Sequence, residues 1–191
     1  MEIILASGSP RRKEILEQIG ASFSIRPAKG EEIIRGETPA EVVKGLSAAK
    51  AREVASDAPS ESLVIGADTV VVYDGRILGK PKDEEDAVSM LKMLSGEQHQ
   101  VYTGVTAIVK SEINKTVTFA ECTEVRIFPM NEEEIRSYVK TGEPMDKAGA
   151  YAVQGYFAKY IEGIDGDFYN VMGLPVARLC RMLKENFYIE L

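Results

Sequence analysis

Strands and helices alternate along this chain, but two hairpins break the alternation, and that break decides which sheet it can build. Parallel neighbours need a crossover between them, whereas a hairpin joins antiparallel strands only. The first strand is "EIILA", residues 2–6, and Ser9 then caps a helix that starts at Pro10, buries Ile15, Leu16 and Ile19, and stops at Gly20. "SFSIR" reads as a second strand, and Thr38-Pro39-Ala40-Glu41 is a capping box opening a long helix to about Ala55. "LVIGADTVVVYDGRILGK" reads as a strand and a hairpin through Asp74-Gly75. "DEEDAVSMLKMLSG" is a helix with acids in its first turn and Gly96 at its end. Residues 98–110 and 115–128 alternate and form the second hairpin across "SEINK". Asn131 with Glu134 caps a further helix closed by "TGEP"; a short helix around "KAGAYAVQG", a strand "YFAKYIEGI" and a final helix "LPVARLCRMLKENF" complete the chain. The prediction is an α/β fold with a mixed, twisted sheet and flanking helices. No repeat, low-complexity tract or linker divides it, so residues 1–191 read as a single domain.

Composition narrows the partners. A hydrophobic content of 45% and a charged content of 28% are those of an ordinary soluble globular protein. The net charge of −7 argues against nucleic acid and against an anionic membrane, while leaving room for a small anion at a local cation cluster. No apolar run approaches the ~20 residues of a membrane span. "MEIILA" is too short for a signal-peptide core, so a cytoplasmic protein is expected. Cys122 and Cys180 make neither a disulfide framework nor a zinc spacing and read as reduced packing residues. The sole histidine, His99, reads as a solvated residue on the polar face of a strand entry, which leaves little for histidine-based catalysis. A metal would have to be held by carboxylates, which points to Mg²⁺ or Mn²⁺.

Arg11, Arg12 and Lys13 stand in the first turn of a helix, where cations oppose the dipole. The loop "SGSP" before them presents main-chain N–H groups, and guanidinium beside such a loop suits phosphate. It is not a Walker A motif, because the closing G-K-[ST] is absent. The plainer alternative is a strand-to-helix turn with solvated arginines. Asp68 interrupts the apolar run "LVIGADTVVV", and a buried carboxylate needs a cation, a metal or a strong hydrogen-bond set. The alternative there is an Asp satisfied by main-chain N–H groups at a bulge near Gly66. Glu31 and Glu32 share a loop, Lys50 lies on the long helix where a solvated lysine is the default, Lys80 and Lys82 sit in "GKPK", and Asp146 and Lys147 in "MDKAGAY". Cations for phosphate and carboxylates for a metal, with no nucleophile–base pair, suit hydrolysis of a phosphoanhydride by metal-activated water.

The segments "LASGSPRRKEIL", "GADTVV", "GKPKDEEDA", "LSGEQHQVYTGV" and "DKAGAYAVQG…GLPV", in this order and spacing, resemble the Maf family of nucleoside triphosphate pyrophosphatases. The likeness runs from Leu5 to the last helix. It implies two lobes around a cleft, an architecture related to inosine triphosphate pyrophosphatases, a frequent homodimer, and cleavage between the α and β phosphates with a divalent cation. It implies phosphate binding by Ser9 and Arg12, contacts from Lys50, Lys80 and Lys147, and Asp68 as general base or metal ligand. Glu31 or Glu32 would join Asp68 at the metal; the motif does not separate these neighbours. Arg11, Thr69 and Gln154 match the members that prefer dTTP and UTP, where the 7-methyl-GTP type has Trp, Gln and Glu. A Gln amide, offering donor and acceptor together, matches the carbonyl and N3–H edge of a pyrimidine. The family is also associated with inhibition of septum formation, so a regulatory nucleotide-binding protein is the alternative function.

Overall fold

The fold is described from a computed structural model that covers residues 1–191. Its seven-stranded sheet has β1 (Ile3–Leu5), β2 (Ser24–Ile25), β3 (Leu63–Tyr73), β4 (Arg76–Leu78), β5 (Gln98–Val109), β6 (Lys115–Ile127) and β7 (Ile161–Asp165). The order is β2-β1-β3-β5-β6-β7, with β4 added on β3. β1 is parallel to both β2 and β3, while β3–β4 and β6–β7 are antiparallel. The sheet is therefore mixed, as the interrupted alternation requires.

The helices are α1 (Pro10–Gln18), α2 (Pro39–Ser56), α3 (Glu84–Leu94), α4 (Glu132–Val139), α5 (Phe168–Met172) and α6 (Val176–Phe187). Two are closed by capping boxes: Thr38 with Glu41 on α2, and Asn131 with Glu134 on α4. Asp83 caps α3 by accepting from the Asp86 N–H at 2.8 Å. Ser9 differs from expectation. It precedes α1 in extended conformation, but its side chain makes no capping bond; its N–H instead donates to Ser7 Oγ at 3.2 Å.

Three further segments depart from the sequence reading. "YFAKY", expected to begin a strand, is a 3-10 turn over Tyr156–Tyr160, and the strand starts at Ile161. Its two buried rings, Phe157 and Tyr160, are three residues apart, which is the 3-10 period rather than the period of a strand. Helix α5 was not expected at all. The short helix around "KAGAYAVQG" is reduced to a 3-10 turn at Ala148–Ala150.

Two compact units divide the chain. One comprises residues 1–68, 103–121 and 173–191, with a core including Ile4, Ala6, Ala51, Val54, Val64 and Ile108. The other comprises 69–102 and 122–172. Its core joins Leu91 and Leu94 of α3 and Ile135 of α4 to Val125 and Ile127 of β6, with Tyr138, Tyr151, Phe157 and Tyr160 stacked within it. His99 belongs to this interior, only 2% exposed. That corrects its expected place on a polar face: residues 99, 101 and 103 share one side of β5, and Val101 and Thr103 are buried with it. Cys122 is exposed and Cys180 half-buried, both free, so Cys122 is not the packing residue expected. No helix is long and apolar enough to cross a membrane.

Candidate active site

Asp68 sits near the middle of β3, 8% exposed, on a strand whose neighbours Val64, Ile65 and Ala67 are fully buried. Its carboxylate accepts from the Lys50 ammonium, Nζ to Oδ1 at 2.5 Å. The sequence default for Lys50, a solvated helix lysine, does not hold, because the cation turns inward to the strand. Gly66 makes this possible. A Cβ there would lie 2.6 Å from the Ser47 carbonyl and 2.8 Å from the Ala51 nitrogen, so only glycine lets α2 settle close enough on β3 for Lys50 to reach the carboxylate. Gly66 serves this approach; the burial of Asp68 is compensated by a cation.

Lys50 also meets Glu32 Oε1 at 2.7 Å. Of the two loop carboxylates, Glu32 is the one that reaches the buried pair. Glu53, one turn further along α2, holds this loop. Its two oxygens accept from the N–H groups of Lys29 (2.7 Å) and Gly30 (3.0 Å). Those main-chain donors, Lys29 first, hold the Glu53 carboxyl below the usual carboxylate range.

Arg12, in the first turn of α1, is buried and donates from Nε to the Gly173 carbonyl at 2.8 Å and from Nη1 to Ser7 Oγ at 3.0 Å. Burial pushes its pKa below the ordinary guanidinium value, and the Asp68 carboxylate is the largest influence opposing that fall, with Glu32 adding to it. Arg12, Lys50, Glu32 and Asp68 thus form one electrostatic neighbourhood. Arg11 is half-buried beside Arg12, and its charge works against that of Arg12. Lys13, exposed, pairs with Glu17 at 3.5 Å.

The other predicted positions lie in the second unit. Thr69 follows Asp68 on β3 and is half-buried. Lys80 is exposed after β4, and Lys147 precedes the Ala148–Ala150 turn, paired with Asp146. The Gly149 N–H donates to the Gly79 carbonyl at 3.0 Å, tying the segments that carry these two lysines to each other. Gln154 is exposed on a turn.

Of the carboxylates expected at a metal, Asp68 with Glu31 or Glu32, it is Glu32 that shares the Lys50 ammonium with Asp68. No group of three or more His, Cys, Asp or Glu side chains is placed to hold an ion. Glu32 and Asp68 nevertheless converge on one ammonium, so their charges already meet at a cation position. Two hard oxygen donors fit Mg²⁺ or Mn²⁺, which take one or two protein carboxylates and complete their shell with water and substrate phosphate.

The family model described as "Maf-like protein" matches residues 2–186. The chain belongs to the Maf-like family. Among its curated relatives, a protein of Agathobacter rectalis named dTTP/UTP pyrophosphatase is 56% identical over 198 residues, covering 96% of this chain and 97% of that protein. A protein of the same name from Lachnoclostridium phytofermentans is 48% identical over 192 residues, covering 100% and 97%. One from Bacillus cytotoxicus is 51% identical over 185 residues, covering 96% and 95%. The Maf-like likeness therefore spans both compact units, and the residues around Asp68 all lie inside it.

Proposed function

We propose that this Maf-like chain is a nucleoside triphosphate pyrophosphatase that hydrolyses the α–β phosphoanhydride of dTTP and UTP, acting as one catalytic domain over residues 1–191. The observation that carries the reading is the buried Asp68 carboxylate paired with Lys50, with Glu32 on the same ammonium and Arg12 in the same field. The names of relatives at about half identity over nearly the full chain support the substrate class.

In this reading Asp68 is the general base. Water adds across the anhydride: its oxygen bonds to phosphorus, the bridging P–O bond breaks, and its proton passes to the Asp68 carboxylate. The products are the nucleoside monophosphate and pyrophosphate. Lys50 holds the carboxylate in place and offsets its charge. Arg12 and Ser9 bind phosphate; the Ser9 hydroxyl, which is not spent on capping, supports this role. Lys80 and Lys147 contribute further phosphate contacts. Asp68 and Glu32, with Glu31 as their neighbour in the loop, would hold a divalent ion, which supplies polarisation of the phosphoryl group and of the water. Arg11, Thr69 and Gln154 set the preference for a pyrimidine.

The test is pyrophosphate release from dTTP and UTP with Mg²⁺ or Mn²⁺, by wild type and Asp68→Asn. Release that is lost in the variant, while the variant still binds dTTP, is expected. Turnover that survives in Asp68→Asn would remove the general base from this scheme.

A further inference from the structure

The turn that carries Gln154 is held by two side chains to which nothing above gives a role. The Gly155 N–H donates to the Ala152 carbonyl at 3.3 Å, closing a turn with buried Val153 and exposed Gln154 at its corners. On each side of that turn a main-chain N–H finds a side chain from the 138–143 segment. The Ala152 N–H donates to Tyr138 Oη at 3.3 Å, and the Tyr156 N–H donates to Glu143 Oε2 at 3.0 Å. The two acceptors are themselves joined, since the Tyr138 hydroxyl donates to Glu143 Oε1 at 2.8 Å.

This is a closed ring of bonds around one turn. Each carboxylate oxygen accepts one hydrogen bond, and the hydroxyl both donates and accepts, so every member is used. Tyr138 is 4% exposed; burial, then the adjacent Glu143 carboxylate, pushes its pKa upward, which keeps the hydroxyl a donor. The fit is tight on the side of the turn as well. A Cβ on Gly155 would lie 2.1 Å from Glu143 Oε2 and 2.4 Å from its carboxyl carbon. Residue 155 must be glycine for the carboxylate to occupy this place.

We propose that Tyr138 and Glu143 are positioning residues that fix the Gln154 turn and thereby set which nucleobase is accepted. The proposal rests on the reading of Gln154 as the base-contacting residue. An exposed amide on a two-residue corner can discriminate between bases only if its backbone is fixed, because a mobile amide adapts to either edge. The ring of bonds supplies that rigidity from outside the turn.

The experiment compares kcat and KM for dTTP, UTP and dATP in wild type, Gln154→Ala, Glu143→Ala, Tyr138→Phe and Gly155→Ala, together with amide hydrogen exchange at Ala152 and Tyr156. Both clamp variants are expected to lose roughly tenfold in the dTTP-over-dATP ratio of kcat/KM, since each removes one hydrogen bond to the turn as well as the bond between the two side chains. The loss should fall on KM more than on kcat, with faster exchange at the two amides. Gly155→Ala should match them, yet add little in the Glu143→Ala background, where its methyl finds room. A general loss of folding would lower kcat for all three nucleotides equally and would contradict the proposal. Selectivity kept in both clamp variants but lost in Gln154→Ala would overturn the clamp and leave the reading of Gln154 standing. Selectivity kept in Gln154→Ala itself would overturn that reading and the clamp with it.

Discussion

At Asp68 the chain buries a carboxylate in the middle of a strand, and the partner that makes this tolerable comes from a helix eighteen residues earlier. Removing one member of a buried pair strands the other, at a cost of about 3–5 kcal/mol. Lys50→Met should therefore lower unfolding free energy by roughly 3 kcal/mol in urea titration, and Asp68→Asn by less, since the Lys50 ammonium left behind keeps Glu32 as a partner. Glu32→Gln, at the solvent end of the same ammonium, should change stability by less than about 1 kcal/mol while still lowering turnover. Equal losses in Lys50→Met and Glu32→Gln would show that the Asp68–Lys50 pair is not a buried pair at all. The need for a partner at Asp68, whether a cation, a metal or a hydrogen-bond set, was legible in the run "LVIGADTVVV". Its identity was not, because periodicity puts Lys50 on a helix without saying how near that helix comes.

That nearness belongs to the elements. Helix α2 lies on β3 at Gly66, where the Ser47 carbonyl would be 2.6 Å from any added Cβ. Gly66→Ala should push the helix outward, destabilise the protein by about 1–3 kcal/mol as overpacking does, and lower turnover through Lys50. A variant as active and stable as wild type would contradict this close approach. The caps of α2 and α4 could be read from Thr38 and Asn131, since capping is local chemistry, whereas Asp83, read as a first-turn acid, is the cap of α3. "YFAKY" could not be read in the same way: its aromatic content favours a strand locally, whereas in the fold Phe157 packs against Tyr138 and Tyr151 within a 3-10 turn. Ser9 has the type of a cap without the bond, and its main-chain N–H donates to Ser7 Oγ. Helix α5 is one short turn, anchored by Asn170 on the Val101 carbonyl and Thr123, which are long-range partners that no local window contains.

Across the whole molecule, His99 ties stability to pH. Burial pushes its pKa from 6.5 down to about 4. Between those values the unfolded chain takes up a proton that the native one refuses, so stability rises with pH across the window and falls on acidification. At 1.36 kcal/mol per pKa unit the loss reaches about 3 kcal/mol by pH 4. Nε2 lies 2.7 Å from the Tyr151 hydroxyl, whereas Nδ1 has no partner to welcome the proton. His99→Gln should flatten the pH dependence of urea unfolding between pH 4 and 6.5; an unchanged slope would contradict the assignment. The buried place of this histidine was available in the alternation of residues 99, 101 and 103, but a polar residue between two glutamines masks it.

The central claim is that the field around Asp68 hydrolyses pyrimidine triphosphates. Its most direct test is pyrophosphate release from a panel of dTTP, UTP, purine triphosphates and 7-methyl-GTP, with Mg²⁺ or Mn²⁺ and after chelation, by wild type and Asp68→Asn. The account predicts release from dTTP and UTP first, loss of activity on chelation with recovery on adding the ion back, and a fall of about 10²–10⁴-fold in the variant. Release from purine or 7-methyl-GTP substrates alone, or turnover undiminished in Asp68→Asn, would contradict it.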